Sequence, residues 1–417
     1  MPNAREDPTS GDHVVAVSAG SSHTVALLNT GHTLAWGNGE DGQLGMGDPQ
    51  PRLVPTIVPA LTGKGITAVY SGAEHTVAHC PAQKLVYSWG WGDFGRLGHG
   101  HSNDVFVPLQ ISSLSGIAIK RVACGDNHTM AITANGTLFA FGRNQNGQLG
   151  LGHTEDVLTP TIVENLKDTR VGDVSCGAEH TVACSGDGTA IYAWGWGRYG
   201  NLGNGDREDR HVPTKAEGLP ENVTVESVAC GWRHSVAVCK GGAVYTFGWA
   251  KYGQLGHGDR IDCLRPKLLE AIKNVTFVAG GWRHTAALCE DGLVYTWGWN
   301  KFGQLGLGDD EDRDVPCLVA MSERTPVLSV KCGWRHTVAL TRCHKVFSWG
   351  RGVDGQLGHG ATDDALLPRE LEVLSAPRLR VQDLPAGPVA AVDQEVDAMD
   401  QGYAVVPEDP SAKRQKV

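Results

Sequence analysis

One pattern recurs seven times along this chain, and a chain built that way has few folds open to it. Its histidines, His23, His75, His128, His180, His234, His284 and His336, follow one another at intervals of 52, 53, 52, 54, 50 and 52 residues. The second half of the unit recurs as Gly-Gln-Leu-Gly or a close variant, beginning at Gly42, Gly95, Gly147, Gly200, Gly253, Gly303 and Gly355. A unit of this length cannot bury its apolar face alone, so neighbouring copies must stack. The repeat therefore overrides the two or three domains that 417 residues would otherwise imply.

Within a copy, His-Thr-Val-Ala-Leu and Val-Tyr-Thr-Trp alternate polar and apolar, the period of a short strand. Gly-Gln-Leu-Gly is turn material, where glycine supplies positive φ or close approach. Several short strands per repeat indicate propeller blades, and seven blades can close into a ring that hides its sheet edges. The expected fold is all-β: a seven-bladed β-propeller over 13–375, after an N-terminal tail of 1–12. The repeat stops at Ser375, and 376–417, rich in Pro, Ala, Asp and Val, reads as a flexible C-terminal signalling tail.

Composition excludes several functions. The formal charge of −10 argues against a general nucleic-acid-binding surface. No run of about 18 apolar residues predicts a membrane span, and residues 1–12 lack the apolar core of a signal peptide. Four of the 11 cysteines (Cys124, Cys176, Cys230 and Cys332) share one repeat position and read as small buried hydrophobes. An odd count of such thiols favours a reducing compartment, which makes the sequons at Asn135, Asn222 and Asn274 chance matches. Histidines present in every repeat point to packing and hydrogen bonding rather than to a metal or to catalysis. Gly37 to Gly42 matches G-x-G-x-x-G but falls on a repeat turn, without the strand and helix a dinucleotide needs. Trp36, Trp89, Trp194, Trp297 and Trp349 share a column with Phe141 and Phe247, which fits core packing.

Function lies where the repeats differ. Three consecutive copies carry Gly231-Trp232-Arg233-His234-Ser235, Gly281-Trp282-Arg283-His284-Thr285 and Gly333-Trp334-Arg335-His336-Thr337. Equivalent positions of equivalent blades share a face, so three Trp-Arg pairs are expected side by side, indole under guanidinium. A second column runs Asn38, Trp91, Arg143, Trp196, Trp249, Trp299, Arg351, and a third Glu40, Asp93, Gln145, Arg198, Lys251, Lys301, Val353. Glu40, Asp41, Glu74, Asp93 and Asp104 make the first repeats acidic. Arg233, Lys251, Arg283, Lys301, Arg335 and Arg351 make the last three basic. A face divided this way is complementary to itself after a two-fold rotation and predicts an isologous homodimer.

The repeat motifs resemble the regulator of chromosome condensation repeat family. The three Gly-Trp-Arg-His-Ser/Thr motifs, with Gly90-Trp91-Gly92-Asp93-Phe94-Gly95-Arg96-Leu97-Gly98 and Gly142-Arg143-Asn144-Gln145-Asn146-Gly147, resemble its plant UV-B photoreceptors. That resemblance implies no enzyme and no bound cofactor, with intrinsic tryptophans as chromophore and a dark homodimer that UV-B dissociates. By motif, Trp282 is the principal sensor, Trp232 and Trp334 assist, and Trp91 completes the cluster from the partner. Arg283 is expected to pair with Asp93 and Asp104, Arg143 with Glu179, and Arg335 with Asp41; Arg233, Arg198, Lys251, Lys301 and Glu40 add to the network. Asn38 departs from the family, which usually carries arginine there.

The tail segment Gly402 to Asp409 resembles the family's Val-Pro motif, with Tyr403, Val406, Pro407 and Glu408 implied to bind the WD40 domain of an E3 ubiquitin ligase. Also implied are WD40 repressor proteins that restore the dimer, contact with chromatin or transcription factors, and a cytoplasmic and nuclear location with nuclear accumulation after UV-B. The same family offers an alternative, a guanine-nucleotide exchange factor or a chromatin-associated propeller scaffold. An exchange factor needs a face for a small GTPase and usually a basic arm, which residues 1–12 do not supply.

Overall fold

A computed structural model describes residues 11–321, 325–375 and 379–388. Each repeat folds into one sheet of four antiparallel strands in chain order, giving seven blades over 14–57, 68–110, 119–162, 171–215, 225–268, 275–318 and 327–370. In the first blade the strands are Val14–Ala19, His23–Leu28, Thr33–Gly37 and Arg52–Ile57. The first strand of every blade lines the central channel, and the second, carrying the repeat histidine, is buried throughout. The expected all-β, seven-bladed propeller is what forms.

The blades are joined by the residues that define the repeat. Each histidine Nε2 meets a hydroxyl on the next blade: His23 with Thr76 at 3.0 Å, His75 with Thr129 at 3.0 Å and His128 with Thr181 at 2.8 Å. The series continues through His180 with Ser235, His234 with Thr285 and His284 with Thr337, and closes with His336 and Thr24 at 3.0 Å. Each of these hydroxyls donates to a backbone carbonyl, as Thr24 does to Gln356 at 2.8 Å. It therefore accepts from the imidazole, which makes Nε2 the protonated nitrogen. Burial holds the seven imidazoles far below their ordinary range, to about 3 for His23, His128, His180, His284 and His336 and about 4 for His234. They are neutral structural rings. The glycine three residues earlier makes room: a Cβ at Gly20 would lie 2.1 Å from Cε1 of His23.

The blade tryptophans supply a second seam. Trp36, Trp89, Trp194, Trp297 and Trp349 are fully buried, as is Phe247, with Phe141 1% exposed. Indole N–H groups of Trp36, Trp89, Trp297 and Trp349 donate to the carbonyls of Gln356, Gln43, Gln254 and Gln304 on the preceding blade. The Trp-Gly glycine then sits at positive φ (108° at Gly37), where a Cβ would press to 2.4 Å from the Ser22 carbonyl oxygen. All 11 cysteines are free thiols, and burial raises the pKa of Cys230 and Cys332 to about 12.

The end of the repeat at Ser375 predicts an unpacked chain from 376 onward, and the described residues correct this. Leu379 and Leu384 join the apolar core of the first blade with Leu371 and Leu374. The Ile57 N–H donates to the Pro385 carbonyl at 2.8 Å, and Gly387 N–H to that of Ile57 at 3.0 Å. Asp12 accepts from the Val381 N–H at 3.0 Å. Two leucines without a period carry no strand signal, yet they suffice to seat a segment on an edge that is already formed.

Candidate functional site

The Trp-Arg motifs lie in the turn between the first and second strands of blades five, six and seven. These turns are stitched around the ring: Trp232 N–H donates to the Gly281 carbonyl at 3.1 Å, and Trp334 N–H to that of Gly20 at 3.2 Å. The second column stands directly outside, because its N–H bonds the first column's carbonyl within each blade. Trp249 donates to Arg233, Trp299 to Arg283 and Arg351 to Arg335, at 2.8–3.0 Å. Two rows of side chains are thereby fixed on one face.

Trp232 and Trp282 meet edge to face with centroids 5.5 Å apart, and Trp282 stacks on Trp334 at 5.8 Å and 18°. Trp249 joins Trp232 at 5.8 Å and Trp299 joins Trp282 at 5.5 Å. The outer row is continuous, running Trp196, Tyr199, Trp249, Tyr252, Trp299, Phe302 with centroid separations of 5.3 to 6.0 Å. These separations lie in the range where aromatic rings attract each other and where indole transitions couple.

The arginines lie over these rings. Arg283 is 3.7 Å from the Trp282 centroid and donates to the Tyr252 hydroxyl at 3.0 Å. Arg335 approaches the same indole to 4.6 Å, while Arg233 lies 3.9 Å from Trp232 and 4.3 Å from Trp196. Arg351 covers Phe302 at 4.6 Å. Burial lowers the pKa of Arg283 and of Arg335; Arg233 pushes Arg283 the same way, and Arg351 and Arg283 do so for Arg335. The Nε atoms of Arg233, Arg283 and Arg335 are buried and make no hydrogen bond. Among the described residues none of these three half-buried guanidiniums forms a salt bridge, so what the face presents for a carboxylate is their charge rather than the buried Nε donors.

The acidic blades are built differently. Trp91 does not touch the other face tryptophans among the described residues; it stacks under the buried Arg96 at 3.8 Å. Glu40 and Asp93 are exposed. Asp104 accepts from the Gly92 N–H at 2.8 Å, a contact that Asp156, Asp209, Asp262, Asp312 and Asp364 repeat in later blades. Asp104 therefore fastens its own loop besides offering charge. Arg143 and Glu179 already approach to 3.6 Å within one chain. Arg198, Lys251 and Lys301 are exposed, and Asn38 accepts from the Glu40 N–H of its own loop. Asp41 lies half-buried, its N–H donating to Gln43.

The structure adds residues that the column argument passed over. Tyr199, Tyr252 and Phe302 complete the aromatic row, and their signal is legible afterwards as Gly-Trp-x-Arg/Lys-Tyr/Phe-Gly. Asp126, where later repeats carry the motif tryptophan, reaches across the channel mouth to accept from the Trp334 indole at 3.3 Å. Burial pushes its carboxyl up to about 6, against the pull of that bond and of Arg96 and Arg233. A contact over 208 residues has no sequence signal. Tyr403, Val406, Pro407 and Glu408 lie outside the described residues. Among those described, no group of three or more His, Cys, Asp or Glu side chains is arranged to hold a metal ion. No described helix is long and apolar enough to cross a membrane.

A family model of the RCC1-like domain matches residues 2–225 and 216–389. The chain is 50% identical over 364 residues to the ultraviolet-B receptor UVR8 of Arabidopsis thaliana, covering 87% of this chain and 82% of that protein. It is 38% identical over 368 residues to the E3 ubiquitin-protein ligase HERC2 of Homo sapiens, but the match spans 6% of that protein. Among solved structures, yeast RCC1 (Prp20) bound to Kap60 superposes with a TM-score of 0.72 at 23% identity, covering 88% of this chain and 87% of that one.

Proposed function

The chain belongs to the RCC1-like domain family, and from that premise and the Trp-Arg face we propose that it is a UV-B photoreceptor whose own tryptophans are the chromophore. The observation that carries this reading is the position of Trp282, in contact with Trp232, Trp299 and Trp334 and covered by Arg283 and Arg335. In the dark, two copies meet through this face, the basic blades of one against the acidic blades of the other. Excitation moves charge among the coupled indoles and changes their attraction for the guanidiniums above them. Each cation–π contact is worth about 0.5–2 kcal/mol and each exposed ion pair about 0–1 kcal/mol. Two-fold symmetry loses every contact twice, and each ~1.4 kcal/mol is tenfold in dissociation.

The released monomer signals through its propeller and through Tyr403, Val406, Pro407 and Glu408, which bind the WD40 domain of an E3 ubiquitin ligase. A short extended segment with an aromatic and a proline suits such a groove at low entropic cost. WD40 repressor proteins restore the dimer, and the protein works in cytoplasm and nucleus, accumulating in the nucleus after UV-B. Size-exclusion chromatography before and after irradiation, with no cofactor added, tests the core of this reading. A dark dimer that becomes a monomer is expected; a dark monomer at low salt, or a dimer indifferent to UV-B, overturns it. Exchange-factor activity is the second reading, resting on the fold shared with yeast RCC1. It gives the three Trp-Arg motifs no role.

A further inference from the structure

The central channel holds a feature that the face does not explain. It is an open channel with about 200 Å³ of space along the propeller axis, walled by the first strands of all seven blades and also lined by Trp232, Trp282 and Trp334. One tier of its wall consists of Ser18, Tyr70, Ala123, Ser175, Ala229, Ala279 and, on the last blade, Lys331, each one residue before the end of its strand, with Gly280 closing the sixth. Six blades place a neutral residue there and one places an ammonium. The other cation of the wall, Arg121, is met by Asp173 at 2.5 Å. Asp173 is further occupied by the Val174 and Val228 N–H groups at 2.9 and 3.1 Å. Lys331 forms no salt bridge among the described residues, and the attraction of Asp173 reaches it only from longer range; its Nζ lies 4.4 Å from the Phe277 centroid. Ser18 and Ser175 each accept a backbone N–H, from Ser71 and Cys230, which leaves their hydroxyl protons to donate.

We propose that this channel is a binding site for a small inorganic oxyanion of phosphate size, held by the Lys331 ammonium with the hydroxyls of Ser18 and Ser175 as further donors. A buried ammonium with no carboxylate within salt-bridge distance is costly, and an anion that brings several acceptors offsets that cost. Chloride offers charge without directional acceptors and binds less well. The groups facing Lys331 are Arg121, Asp173, Cys332 and Phe277, and burial lowers its amine to about 8. The amine is therefore charged at neutral pH and loses its proton just above it. The site stands independently of the light-sensing reading, since it uses none of the face residues.

Thermal melting and isothermal titration of the full chain with inorganic phosphate, at ionic strength held constant with sodium chloride, test it. A saturable rise in melting temperature is expected for the wild type. Lys331→Met should weaken phosphate by about tenfold or more, ~1.4 kcal/mol, while Lys331→Arg keeps binding. Identical titrations of wild type and Lys331→Met, or no response beyond that of chloride, overturn the proposal. A measurement that needs no variant is the pH profile. Phosphate affinity should fall as pH rises from about 8 to 9.5, where phosphate is almost wholly the dianion and the amine is the group that changes, and a flat profile overturns it too.

Discussion

Trp282 stands among three indoles and beneath two guanidiniums, and its neighbours separate two roles that a single substitution can test. Trp282→Phe keeps an aromatic face for Arg283 but removes most absorption in the UV-B, so the dark dimer should persist and irradiation should leave it intact. Chromatography of the irradiated variant checks this, and normal dissociation would refute the assignment. Arg283→Ala removes the cation that bridges Trp282 and the Tyr252 hydroxyl. It should give a monomer in darkness, read by the same column or by light scattering. The first pair of columns was legible because the motif recurs at one repeat position. Asp126 was not, because its bond to Trp334 crosses the channel between blades whose sequences give no sign of facing each other.

At the scale of the element, the seam between blades rests on a glycine, a histidine and a hydroxyl used seven times. Gly281→Ala places a Cβ 2.2 Å from Cε1 of His284, and the ring has nowhere to go in a closed stack. It should destabilise the propeller by about 1–3 kcal/mol, seen as a melting temperature lowered by several degrees. His284→Ala, which empties the same space, loses the Thr337 hydrogen bond and leaves a cavity, for about 2–4 kcal/mol. The two substitutions share one site, so the double variant should cost less than their sum. An additive result would show that the close approach is relieved elsewhere.

The whole molecule buries seven neutral imidazoles, and this dictates how it meets acid. In the unfolded chain they titrate near 6.5, whereas folded they are held at about 3 to 4 for the six with a stated value. Protons therefore bind the unfolded state first. This contribution is fully present above about pH 6.5 and is lost as pH falls toward the folded values, by up to about 1.4 kcal/mol per pH unit for each histidine. Melting temperature followed by far-ultraviolet circular dichroism should drop steeply between pH 6 and 4.5, well before most carboxylates titrate. A flat profile over that range would contradict the seam. The tail gives a separate expectation. Val406→Ala with Pro407→Ala should abolish binding of a tail peptide to the ligase's WD40 domain and leave photodissociation unchanged, as peptide titration beside chromatography would show. Lost photodissociation would place the tail inside the switch.

The sequence by itself determined blade number, the all-β class and the assignment of its histidines and blade tryptophans to packing, because a repeat reports every structural demand seven times. It also determined which blades carry the Trp-Arg pairs and on which side the charges fall. Only the tertiary structure decided what those side chains touch. It put Trp91 under Arg96 rather than beside another tryptophan, gave Asp104 a loop to fasten, and brought Arg143 to Glu179 within one chain. It also seated Leu379 and Leu384 on the first blade. The physical reason is that a period shows which residue type every copy repeats, as at the Asp104 position, but not which atom it meets. A contact made once, such as Arg143 with Glu179 or the seating of Leu379 and Leu384, depends further on distances that exist only after the ring has closed.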